Sequence, residues 1–347
     1  MKIPFLVVSI ALCLSCVGYT SNRKVGELYY DLGNAYLELD RHEDAVKAYS
    51  HALGLNKGFA LARYNLARTY AIRKEYDKAL ETSYGLLNDD PDSLVFRELI
   101  AWVYYLSRDY ENAIKIYESV LEIDPIRETA LFNLAVLYNG KQDYEISIGY
   151  LKKLRESYPE NDKYAFKLGE AYFKDEMFLE AKDAFSNVGE VKSDMEYAYL
   201  YYYEYGNTLE HLQEYTDAVD IYVKGQEDID ETKNGVFFFL EGRIQWNIFE
   251  DMDGAKNLFG TAIEHGYRDK VEILSLIEDP ETISADLLIE YFQSKNLYDP
   301  DAKATENEEN GDGENAGTPE VESDAQNIES DVSTAAPPNE TDGSPEL

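Results

Sequence analysis

Apolar residues along this chain come in short helical runs separated by brief polar breaks. The stretch from Leu94 to Arg127 is representative. Arg97, Ile100, Ala101 and Tyr104 fall at i, i+3, i+4 and i+7, the spacing of one face of an α-helix. Ser107, Arg108 and Asp109 interrupt that run. A second run puts Tyr110, Ala113, Tyr117 and Val120 on its buried side, and Pro125 stops it because proline has no amide hydrogen to donate. Two amphipathic helices joined by a tight turn cannot cover their own apolar faces, so this pair predicts a unit that stacks on copies of itself.

The copies are present. Gly33, Ala67, Ala101, Ala135 and Gly169 lie 34 residues apart, and Tyr36, Tyr70, Tyr104, Tyr138 and Tyr172 repeat in step. In the second helix the matching series is Ala45, Ala79, Ala113, Ser147 and Ala181. Small residues at these places let paired helices approach closely, and the tyrosines fill the space beside them. In the fourth repeat Asn139-Gly140 is the expected inter-helix turn, since both residues tolerate unusual φ. After Gly169 the register slips, because the next small residue, Gly206, comes 37 positions later. A sixth repeat then runs through Tyr215, Ala218 and Tyr222, and a degenerate seventh starts near Val236. Two closing helices, Val271 to Ile277 and Ser284 to Lys295, are expected on either side of Asp279-Pro280.

This pattern resembles the tetratricopeptide repeat, whose period is 34 residues. The resemblance covers roughly Gly26 to Arg268. It implies an all-α fold, an α-solenoid in which helix–turn–helix repeats wind into a right-handed superhelix. The domain plan is then a solenoid of about seven repeats over 21–268 and capping helices over 269–298. The resemblance also implies that the first helix of each repeat lines a concave groove for a protein or peptide partner. Tyr64, Arg68, Trp102, Tyr105, Phe132, Phe166 and Phe173 would form its lining, an aromatic stripe suited to an extended or helical peptide. Some family members clamp a peptide carboxylate with Lys, Asn and further basic residues from three successive repeats. Here Asn133, Lys163 and Lys167 match that arrangement, but Glu98 and Trp102 stand where Lys and Asn belong, so a carboxylate or acidic segment is the expectation and a full clamp is not.

Charge narrows the partners. The formal charge is −36, and residues 299–347 hold fifteen acidic residues against Lys303 alone. Such a surface repels nucleic-acid phosphates, so no nucleic acid is expected as a partner. The 299–347 segment has no apolar periodicity and no aromatic residue, and a disordered acidic tail is expected there. A tail of that length could also reach back to Lys163 and Lys167.

The first twenty residues read as an export signal, with Lys2 ahead of a short apolar core from Ile3 to Leu14. That core is too short to span a bilayer, which needs about 20 apolar residues. Leu12-Cys13-Leu14-Ser15-Cys16 resembles a bacterial lipoprotein box, which would leave Cys16 lipidated. Simple signal cleavage is the alternative. Either way the chain is expected outside the cytoplasm, and a lipid anchor would hold it to a bacterial cell membrane or outer membrane. The remaining sequence has no cysteine, and its four histidines stand singly. No catalytic, metal or cofactor constellation is found, so a non-catalytic scaffold in envelope assembly is the leading expectation. A surface-exposed lipoprotein or adhesin, or a transport accessory subunit, stands as the alternative.

Overall fold

A computed structural model of the chain describes residues 22–298. The signal region, Cys16 and the acidic tail lie outside the described residues. Among the described residues there are helices only, beginning with α1 (22–38). It is followed by α2 (His42–Leu55), α3 (Ala60–Ile72), α4 (Tyr76–Asp89), α5 (Leu94–Leu106), α6 (Tyr110–Ile123), α7 (Glu128–Gly140) and α8 (Tyr144–Ser157). Then come α9 (Asp162–Lys174), α10 (Phe178–Ser186), α11 (Ala198–His211), α12 (Tyr215–Asp228), α13 (Gly235–Asn247), α14 (Met252–Glu264), α15 (Lys270–Glu278) and α16 (Ala285–Ser294). The fold is all-α, with the stacked helix pairs of an α-solenoid. It divides into two compact units, residues 22–137 and 138–298.

Each pair closes with the same backbone device. Asp40, Lys74, Arg108, Gln142, Glu176, Gln213 and Glu250 all have φ between 54° and 64°, the left-handed region. The next residue turns its amide back into the preceding helix. Arg41, Glu75, Asp109, Asp143 and Met177 donate to the carbonyls of Tyr36, Tyr70, Tyr104, Tyr138 and Tyr172 at 2.8–2.9 Å. This is a Schellman closure, which satisfies carbonyls that a helix end would otherwise leave bare. The periodic tyrosines therefore mark the turn through their main chain as well as filling space.

One expected turn is misplaced. Asn139 and Gly140 belong to α7, and Gln142 takes the left-handed conformation instead, with φ of 62°. The bond from Asp143 to the Tyr138 carbonyl sets the turn by counting from the tyrosine. Hairpin geometry thus overrides the local preference of Asn and Gly.

Small residues in the first helix meet large rings in the second. A methyl group added at Gly169 would lie 2.6 Å from the Phe185 ring, and one at Gly242 would lie 2.7 Å from Phe259. Gly33 stands against Tyr49 and Gly206 against Tyr222 in the same way. In the first unit the buried core passes from pair to pair: Tyr49, Ala52, Ala62 and Leu66 form one cluster, and Tyr64, Ala79, Leu86, Leu99 and Trp102 form the next. First helices also touch one another directly, α3 against α5 and, in the second unit, α9 against α11.

Candidate functional site

In the first unit the expected groove residues sit on α3, α5 and α7. Tyr64, Trp102, Tyr105, Phe132 and Asn133 are all buried. Tyr64 and Trp102 belong to one apolar cluster, so their rings serve the core as much as any surface. Arg68 and Trp102 hold matching places, 34 residues apart, and share a property. The Arg68 Nε and the Trp102 Nε1 are buried donors with no acceptor in the structure. The Arg68 guanidinium lies 5.9 Å from the Tyr64 ring centre, a cation–π distance. Asn133 turns its amide onto its own helix, donating to the Thr129 carbonyl at 2.9 Å.

Beside Trp102 lies a charge pair. Glu98 is fully buried, and Arg127 grips both of its oxygens at 2.9 and 3.0 Å. The bidentate geometry supplies the compensation that a buried carboxylate needs. Tyr117 is buried without a partner for its hydroxyl, and burial, then the Glu98 charge, push that phenol well above its ordinary range. Asn34 and Asn65 are tied together at 3.0 Å, and the Tyr49 hydroxyl donates to Asn34 at 2.6 Å.

The second unit carries a different cluster, on α9 and α11. Lys167 and Lys174 reach opposite oxygens of Glu170 at 3.0 and 3.1 Å. Burial would raise the Glu170 carboxyl, but the two lysine charges outweigh it and hold it down at about 2. Glu204 is also buried, with one oxygen lacking a hydrogen-bond partner. Burial first, and then the Glu170 charge, push it up to about 8 against the opposing lysines. At neutral pH the four groups therefore carry one net positive charge, within a chain of −36. Phe166 has no exposed surface and stacks on Tyr197 at 4.8 Å. Phe173 is half-buried, edge-on to Phe178 and His211. The Lys163 amide is capped by Asn161 at 3.2 Å.

Three family models, each described as "Tetratricopeptide repeat", match residues 30–93, 97–127 and 129–161. This is a tetratricopeptide-repeat protein. The fold supports a protein-interaction scaffold. No curated protein matches the chain. Among solved structures it is similar to a tetratricopeptide repeat protein from Parabacteroides merdae, at 16% identity over 78% of this chain and 99% of that one, with a TM-score of 0.48. It is also similar to pilF of Pseudomonas aeruginosa, at 16% identity over 60% of this chain and 93% of that one, with a TM-score of 0.49. A thermophilic TPR protein of Thermus thermophilus matches at 18% identity over 53% of this chain and 98% of that one, with a TM-score of 0.42.

In repeat terms, Asn133 falls in the first unit while Lys163 and Lys167 fall in the second. Lys167 is already engaged by Glu170. Residues with no periodic signal complete both clusters: Arg127 stands just before α7, and Lys174 ends α9. Glu204 was legible only as one more acidic residue of α11. Among the described residues no group of His, Cys, Asp and Glu could hold a metal ion. No helix among them is long and apolar enough to cross a membrane.

Proposed function

We propose that this tetratricopeptide-repeat protein is a non-catalytic scaffold whose first helices bind a protein partner as an extended segment. The observation that carries this reading is the pair of buried donors on Arg68 and Trp102, at equivalent places in successive repeats. A buried donor without an acceptor costs about 1–3 kcal/mol, and a partner whose docking shifts these side chains onto its own acceptors recovers it. The main-chain carbonyls of an extended peptide present acceptors in a row, and an aromatic surround suits the side chains between them. Within the second unit, the net positive cluster of Lys167, Lys174, Glu170 and Glu204 favours a carboxylate-bearing segment.

The setting we propose is the outer side of a bacterial membrane. There a lipid on Cys16 would tether the chain and the scaffold would serve assembly of an envelope complex. The apolar Ile3–Leu14 run ahead of Ser15-Cys16 supports this.

Crosslinking and mass spectrometry of native envelopes, followed by affinity measurement, tests both parts. Crosslinks should fall on α3 and α5. Trp102→Phe keeps the ring and removes the donor, and with Arg68→Gln it should weaken partner binding about tenfold, the worth of one to two hydrogen bonds. Unchanged affinity would remove this face as the site. Cys16→Ser should release the chain from the membrane fraction.

A further inference from the structure

The outer face of α1 carries an apolar seam that the repeat stack does not use. Gly26, Tyr29, Tyr30, Gly33 and Tyr36 turn toward α2 and α3. Val25, Leu28, Leu32 and Ala35 face away and are exposed, and Leu39 continues the line just past the helix end. Leu28 and Leu39 each keep 66% of their surface open. Their spacing is 3, 4, 3, 4, the heptad alternation by which one helix seats against another. Terminal units of a repeat stack ordinarily present a polar outer face. Here the end is apolar instead.

We propose that this seam is a dimerisation surface, pairing antiparallel with the same seam of a second copy. The charges beside it select both occupant and direction. Lys24, Asp31 and Glu38 flank the seam seven residues apart, all exposed, so one end of the flank is basic and the other acidic. An antiparallel pair centred near Asp31 sets Lys24 of each chain opposite Glu38 of the other. In the same register Val25 meets Ala35 and Leu28 meets Leu32 across the interface. A parallel pair would bring the flank against Tyr29 and Tyr36, which carry no charge. A contact of this kind, repeated by a two-fold axis, is self-complementary and closes at two copies. Only the Asp31 pair near the axis sets like charges together.

Thiol crosslinking of the full chain, with Cys13 and Cys16 replaced by serine, tests this. Asp31→Cys should form a disulfide-linked dimer on mild oxidation. Lys24→Cys mixed with Glu38→Cys should link to each other, and neither should link efficiently alone. Adding Leu28→Lys, at a residue exposed enough to leave the fold intact by circular dichroism, should abolish every crosslink. Without the thiols, Asp31→Asn should tighten the dimer several-fold in sedimentation analysis. Absence of all crosslinks, self-linking of Lys24→Cys, or crosslinks that survive Leu28→Lys would each overturn the proposal. So would Leu28→Lys abolishing adsorption to lipid vesicles in a chain that stays monomeric, because the seam would then serve a bilayer.

Discussion

Glu170 and Glu204 are both buried carboxylates, yet their environments drive them in opposite directions. Two lysines hold Glu170 ionised, while Glu204 has its neighbour's negative charge added to the cost of burial. The consequence is a stability profile with two flanks. From about 4.5 up to about 8 the native chain keeps a proton on Glu204 that the unfolded chain has released. Stability therefore falls as pH rises through that window, and the loss is complete above it. From about 4.5 down to about 2 the unfolded chain takes up a proton that native Glu170 refuses, so stability falls as pH drops there. Glu204→Gln, which resembles the protonated carboxyl, should flatten the upper flank and leave the lower one in place. Urea midpoints measured at pH 5, 7 and 9 would check this, and an unchanged slope between pH 5 and 8 would rule out Glu204 as its source.

Between elements, close approach depends on which residue faces which ring. Gly169 packs on Phe185 with no room for a methyl group. Gly169→Ala should cost about 1–3 kcal/mol by overpacking. Phe185→Leu leaves space at the same point, so the double variant should lose less than the two single losses added, by about 1 kcal/mol. A thermodynamic cycle from denaturant melts measures that coupling. Additive losses would mean that the ring yields to the methyl group rather than opposing it. Much of this level was legible in the sequence. The small-residue and tyrosine series located the helix pairs, because a 34-residue period sums weak local signals into a strong one. The turn at Gln142 was not legible, since Asn139-Gly140 looks the better turn until the carbonyl of Tyr138 is known to set the count. The buried pair of Glu98 and Arg127 was hidden for a related reason. The two residues stand 29 apart, off the repeat period, and only packing brings them together.

Across the whole chain the excess of negative charge is the dominant electrostatic fact. The exposed ion pairs, such as Lys47 with Glu43 and Asp44, are each worth little. Net repulsion among so many carboxylates outweighs them. Raising sodium chloride from low to physiological ionic strength should therefore stabilise the fold, by an amount of about 1 kcal/mol, or a melting shift of roughly 2–4 °C. Thermal melts by circular dichroism at several salt concentrations would decide it, and a fall in Tm would mean that attractive pairs prevail. The candidate site was only partly readable at this scale. Sequence position picked out Arg68 and Trp102, but only the structure revealed that their donors lack acceptors.

The left-handed turn has a bearing on how such a chain grows. Among the described residues, seven hairpins close through residues as unlike as Asp40, Lys74, Arg108 and Gln142, all solvent-facing, with no glycine among them. The joint is held by main-chain bonds, so it survives drift in the residue that occupies it. A gene segment encoding one helix pair can then be duplicated in tandem and its copies left to diverge at the bend, with no compensating change needed elsewhere.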